Sequence, residues 1–154
     1  MILSFDLDGV IADTDNGVLG LLHEGDREGK AAISVALQQY YGRRQVVLDP
    51  RMFVGPNDQY HIVTGRVVSA QAITREWVAH FLSDWAGLHF VGNELSEKLL
   101  AAGAMDAASD CLAERKLTVV KAIGATIHFD NNPRIVQRLR EEGLVAVQIG
   151  GGLC

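Results

Sequence analysis

Asp6 and Asp8 stand two residues apart at the end of an apolar run, in the stretch LSFDLDGVIADTD from Leu3 to Asp15. Met1, Ile2, Leu3 and Phe5 read as a short strand buried on both faces, because such strands carry nearly continuous apolar runs. Side chains two apart on a strand return to the same side, so both carboxylates can face one pocket. Carboxylates that close repel each other, and a cation is the usual remedy. A hard oxygen pair with no histidine or cysteine beside it suits Mg²⁺ better than Zn²⁺. Mg²⁺ in turn suggests phosphate, and Gly9 fits, since without a Cβ the chain turns sharply and brings backbone amides near an anion. Taken alone, an Asp-x-Asp pair is more often an acidic strand-end loop with no ligand, and it is the flanking residues that favour a site.

The elements that must position this pair are legible along the chain. A helix is expected from about Thr14 or Asp15 to Gly25, and a second from Glu28 to Tyr41 with Ile33 on its apolar stripe and Gly42 as its stop. Pro50, Gly55 and Pro56 then punctuate a loop from Arg43 to Asp58, with a short extended piece at Val46 to Leu48. That loop reads either as a small lid over a pocket or as a tethered surface helix. Tyr60 to Val63 signals a second strand, followed at once by Thr64, Gly65 and Arg66. Ile73, Trp77, Val78, Phe81, Leu82 and Trp85 recur at helical steps and make a core-facing stripe.

A third strand is expected at Leu88 to Val91, and helices at Asn93 to Leu100 and at Ala107 to Lys116, with Gly103 between them. Lys116 to Ile123 reads as a further helical turn or two stopped by Gly124. Ala125 to Phe129 forms a fourth strand ending in Asp130. Asn132 caps the next helix, Pro133 takes its first position, Gly143 closes it, and Leu144 to Ile149 is the fifth strand. Five strands alternating with helices predict one α/β domain of three layers over residues 1–154, its sheet mainly parallel, with a small helical insert at about 15–57. In open parallel sheets ligands gather beyond the carboxyl ends of the strands. Asp6, Asp8, Thr64 and Asp130 all lie at such ends.

Composition sets limits on function. The 154 residues are 48% hydrophobic and carry a net charge of −5, with no basic run, which argues against a nucleic-acid-binding surface. A local metal ion still allows a small anionic substrate. The two cysteines, Cys111 and Cys154, and the absence of a signal-like opening suit a reducing, cytoplasmic setting. No apolar run is long enough to span a bilayer. Histidines 23, 61, 80 and 89 have no ligand spacing, and neither a G-x-S-x-G elbow nor a P-loop occurs. His128, two residues before Asp130, is open to a metal or acid role.

DLDGV at Asp6 to Val10, VTGR at Val63 to Arg66 and FDNNP at Phe129 to Pro133 together resemble the signature motifs of the haloacid dehalogenase-like superfamily, in that family's order. The resemblance implies a Rossmann-like fold and Mg²⁺-dependent phosphoryl transfer through a phospho-aspartate. Asp6 would be the nucleophile, and Asp8 would protonate the leaving oxygen and later take a proton from water. Asp6, the backbone carbonyl of Asp8 and Asp130 would hold Mg²⁺. The Thr64 hydroxyl and the Gly65 amide at a helix start would hold phosphate oxygens, the alternative for Thr64 being a helix cap.

A lysine is also implied, and Lys116 matches its position at the head of the helix before the last acidic motif, with Lys121 as runner-up and Lys98 as a third candidate. Many relatives carry two consecutive acidic residues at that motif. Here the second is Asn131, which suits a role holding a metal-bound water or orienting Asp130, with weaker Mg²⁺ binding expected. The implied partner is a small phosphorylated substrate, with weak similarity to 5'-deoxyribonucleotidases pointing to a nucleoside monophosphate. The alternative is a weak or inactive relative that binds a phosphorylated ligand or a protein.

Overall fold

The computed structural model describes residues 1–28 and 30–150, with side chains described for all of these except residues 23–34. The five strands are β1 (Ile2–Phe5), β2 (Gln59–Thr64), β3 (Gly87–Phe90), β4 (Ile127–Asp130) and β5 (Ala146–Gln148). They form one all-parallel sheet in the order β3-β2-β1-β4-β5, which makes β1 central. Phe5 pairs in register with Ile62 on one side and Phe129 on the other. A central strand covered on both faces needs an apolar run, and Leu3 and Phe5 are buried accordingly.

The helices are α1 (Gly17–Glu28), α2 (Lys30–Gly42), α3 (Gln71–Phe81), α4 (Glu94–Ala101), α5 (Met105–Ala122) and α6 (Pro133–Glu141). On one face of the sheet Trp77 and Val78 of α3 pack with Phe5, and the Phe5 and Phe129 rings stack 4.6 Å apart. On the other face Ala113, Leu117 and Val120 of α5 interlock with Ile135, Val136 and Leu139 of α6. Asn93 and Ser96 close a reciprocal capping box on α4, and Asn132 caps α6 by accepting from the Arg134 amide at 3.0 Å.

Several local expectations are corrected. α1 begins at Gly17 and continues through Gly25 to Glu28. Ile33, expected on the stripe of α2, lies outside the described side chains. α5 is one continuous helix, because its apolar stripe of Ala113, Leu117 and Val120 runs unbroken past Lys116 with no glycine or proline to stop it. Lys116 therefore sits well inside a helix and not at its head. α3 ends at Phe81, short of Trp85, as Leu82 turns extended with φ −122°. Val46 makes only an isolated bridge to Ala12.

The loop from 43 to 58 is tethered to the body of the fold. Its Val47 amide donates to the Ile11 carbonyl at 2.8 Å, and the Phe53 ring tilts against Phe5 and Phe129 at 5.9 and 5.7 Å. In the helical insert α1 packs against α4 and α2 against α3, and Leu19, Leu22 and Tyr41 line the cavity described below.

Candidate active site at the carboxyl edge of the sheet

Parallel pairing of β1 with β2 and β4 brings their carboxyl ends to one edge, and a cavity of about 120 Å³ lies there. Asp6, Asp8, Gly65, Lys116, Asp130 and Asn131 all line it. The Asp6 amide donates to the Phe129 carbonyl at 2.8 Å, which locks the first acidic residue against the end of β4. Lys116 reaches in from α5 and joins both carboxylates, its Nζ 2.8 Å from Asp6 Oδ1 and 2.6 Å from Asp130 Oδ2. Gly9, with φ 75°, takes the left-handed turn that follows the acidic pair.

Asp130 is held from three sides. Besides Lys116, its Oδ1 accepts the Asn132 amide at 2.9 Å, and its Oδ2 lies 3.2 Å from His128 Nε2. His128 in turn meets Ser4 Oγ through Nδ1 at 2.8 Å, since Ser4 and His128 are register partners on β1 and β4. Burial alone would raise the Asp130 carboxyl, but Lys116 and His128 prevail and hold it well below the usual carboxylate range. Burial is also the largest influence on Lys116, working against its charge; Asp130 and Asp6 overcome it and raise the ammonium above its ordinary value. Asp6 goes the other way: burial pushes it up to about 7 against the pull of Lys116, with Asp130 and Asp8 adding to the rise.

Asp8 has a cationic partner of its own that motif reading alone does not assign. Arg66 Nε lies 3.1 and 2.9 Å from Asp8 Oδ1 and Oδ2, and Nη2 lies 2.8 Å from Oδ1. Thr14 Oγ1 also donates to Oδ1. Oδ1 thus takes three donors and Oδ2 one. Arg66 is itself fixed, its Nη1 donating to Thr74 Oγ1 at 3.1 Å and its guanidinium lying 3.8 Å over the Tyr41 ring. Burial works against the Arg66 charge, and Asp8 more than restores it, leaving the guanidinium above its ordinary value.

The remaining predicted residues separate. Thr64 is fully buried, and its hydroxyl accepts the Arg66 amide at 3.2 Å; it is not among the residues lining the cavity. It caps no helix, and Gly65 does not begin one: α3 starts only at Gln71, after a tight helical turn at Val68–Ala70. Lys121 points away and pairs with Glu142 at 2.7 Å. Asn131 is buried beside Asp130, and its Nδ2 has no hydrogen-bond partner among the described residues. A buried donor left without a partner is costly, which marks it as waiting for an acceptor.

Mg²⁺ fits this donor set. Asp6 and Asp130 against Lys116 leave one uncompensated negative charge, every available donor is a hard oxygen, and the Asn131 donor could hold a bound water. Among the described residues no three histidine, cysteine or carboxylate side chains stand together as a metal cage. The predicted set, however, calls on only two side chains and a backbone carbonyl.

The chain has the fold of the haloacid dehalogenase-like hydrolases. It aligns with a haloacid dehalogenase-like family hydrolase from Streptococcus pneumoniae at a TM-score of 0.54 and 14% identity, over 97% of this chain and 84% of that one. Two structures of a Bacteroides thetaiotaomicron enzyme of the same family align at 12% identity. One is a magnesium complex, with a TM-score of 0.49 over 97% of this chain and 93% of that one. The other is a mutant in complex with magnesium and inorganic phosphate, with a TM-score of 0.47 over 99% and 95%. No protein-family model and no curated protein matches the sequence. At these identities the likeness is one of fold, and the chemistry rests on the groups in the site. Among the described residues no helix is long and apolar enough to cross a membrane.

Proposed function

We propose that the protein is a Mg²⁺-dependent phosphomonoesterase working through a phospho-aspartate on Asp6. The observation that carries this reading is Lys116 joined to both Asp6 and Asp130, with a third carboxylate, Asp8, lining the same cavity. Held by Asp6, the Asp8 carbonyl and Asp130, Mg²⁺ would supply positive charge against a phosphate dianion.

The protein's own groups divide the rest of the work. An Asp6 carboxylate oxygen attacks phosphorus, the bond from phosphorus to the ester oxygen breaks, and that oxygen takes a proton from Asp8. Water then attacks phosphorus in the acyl phosphate, gives a proton to Asp8, and frees Asp6 and inorganic phosphate. Of the two Asp8 oxygens, Oδ2 is the one free enough for this exchange. Lys116 steadies the negative charge shared by Asp6 and phosphate, and Asn131 Nδ2 offers a donor to a phosphate oxygen or a bound water. With the Thr64 hydroxyl buried, the Gly65 backbone, which lines the cavity, would hold the phosphate from this segment. The cytoplasmic setting expected from the cysteine usage belongs to the same proposal.

A second reading has one observation behind it: Asp8 Oδ1 is saturated by Arg66 and Thr14, which suits a fold that binds a phosphorylated ligand without turning it over. Phosphate release from p-nitrophenyl phosphate and from a panel of nucleoside monophosphates, with and without Mg²⁺, separates the two. The phosphatase reading predicts metal-dependent release that Asp6→Asn abolishes. Folded protein that binds phosphate but releases none favours the second reading.

A further inference from the structure

Beside its charged and polar groups the cavity has a largely apolar described lining. Leu19 and Leu22 of α1, Val67, Leu100 of α4, and Met105 and Leu112 of α5 all line it. Leu112 approaches Gly65 so closely that a Cβ there would meet it at 3.1 Å, so the apolar lining reaches the backbone that the proposed function sets against phosphate. Among the described residues, every charged side chain lining the cavity is already paired: Arg66 with Asp8, and Lys116 with Asp6 and Asp130. Of the other polar side chains, Ser109 Oγ accepts from Asn132 and Thr14 donates to Asp8, while the unpartnered Asn131 Nδ2 is the donor that the proposed function gives to a phosphate oxygen or a bound water. A sugar hydroxyl, a base edge or a carboxylate on the leaving group would lose its water here and find little to replace it.

Resting on the phosphomonoesterase reading for the phosphate end, we infer that the site takes small monoesters whose leaving group is apolar and uncharged, of the alkyl or aryl phosphate class. Nucleotides and sugar phosphates fit it poorly. The phosphate supplies the charge that the polar groups recognise, and the chain or ring supplies area to the leucine and methionine lining. Burial of one methylene is worth roughly a fourfold gain in affinity, so a short alkyl series reads that lining directly.

The test uses the full chain with Mg²⁺ and two readouts. Calorimetry with methyl-, butyl- and hexylphosphonate measures binding without turnover, and phosphate release is followed from the matching alkyl phosphates, p-nitrophenyl phosphate, glucose 6-phosphate and a nucleoside monophosphate. The expected result is affinity rising roughly fourfold per methylene over the first few carbons, with kcat/KM following it and the polar esters trailing. Met105→Gln, close to isosteric, should weaken the hexyl ligand more than the methyl one, which a general loss of fold would not do. Turnover with flat or falling affinity along the series, or with the nucleotide preferred, overturns the apolar-substrate inference and leaves the phosphatase reading standing. Rising affinity without any turnover keeps the ligand class and overturns the phosphatase reading. Neither binding nor turnover in folded protein overturns both.

Discussion

Arg66 grips Asp8 through both carboxylate oxygens, with Nε 3.1 and 2.9 Å from them and Nη2 2.8 Å from Oδ1. The two residues are far apart in sequence and meet because β1 and β2 are neighbours in the sheet. Thr74 and the Tyr41 ring hold the guanidinium from behind, so the orientation of Asp8 is fixed through Arg66. Arg66→Ala should lower kcat by about 100-fold while changing KM little, since the general acid would lose its aim and not its presence. Stability should fall by about 3 kcal/mol, because one partner of a largely buried pair is removed. Arg66→Lys keeps the charge and loses the two-pronged contact, so it should recover stability better than kcat. Steady-state kinetics and urea unfolding on the two variants check both parts.

Lys116 is the cation that allows Asp6 and Asp130 to be buried side by side. Lys116→Met preserves the packing of the stem and leaves two carboxylates facing each other. The variant should lose about 3–5 kcal/mol in metal-free buffer and nearly all activity. Mg²⁺ should restore part of that stability, because a divalent ion replaces the missing charge between the same oxygens. Thermal unfolding with chelator and with Mg²⁺ measures the difference.

The Asp6 carboxyl, pushed by burial from 3.8 to about 7, makes a prediction about pH. An acid whose value is raised by folding holds its proton more tightly in the folded state. Its contribution is therefore present at low pH and is lost as pH rises from the unfolded value through about 7. His61, His89 and His128 act oppositely: burial lowers all three, and stability is lost as pH falls below their ordinary 6.5. Asp6→Asn isolates the carboxylate from the histidines. Between about pH 5 and about pH 8, metal-free wild type should lose several degrees of unfolding midpoint relative to that variant. Parallel pH profiles for the two proteins would remove Asp6 as the titrating group.

Asn131 leaves a buried donor unpartnered beside Asp130. Asn131→Asp would add a carboxylate near Asp6 and Asp130. Half-saturation of activity by Mg²⁺ should then fall roughly tenfold, and the metal-free protein should become less stable. Coincident Mg²⁺ titrations for the two proteins would show that this position does not govern metal binding.

What could be read in the sequence was what depends on neighbours along the chain. The apolar run of β1 stops at Asp6, and β2 and β4 end in Thr64 and Asp130, so alternation and strand ends point to one edge before any contact is known. The cap and first turn of α6 are equally local, with Asn132 and Pro133 in place. Contacts between elements were not legible. The pairing of Arg66 with Asp8 needs the strand order, and the link from Ser4 through His128 to Asp130 needs the register of β1 on β4. Thr64 shows the limit from the other side. Its place at a strand end is readable, but the turn that brings the Arg66 amide back onto its hydroxyl depends on how Arg66 is drawn to Asp8. The continuity of α5 past Lys116 was hidden because its buried face carries the polar Ser109 and Lys116 among small and apolar residues, which blurs the apolar period.

The most direct test of the central claim is whether phosphate becomes covalently attached to Asp6. Wild-type protein mixed with Mg²⁺ and p-nitrophenyl phosphate, quenched in acid within one turnover and digested, should yield the peptide containing Asp6 with one added phosphoryl group. The Asp6→Asn protein should yield none and release no phosphate. Phosphate release by wild type with no label on any carboxylate, together with undiminished turnover by Asp6→Asn, would contradict the phospho-aspartate mechanism.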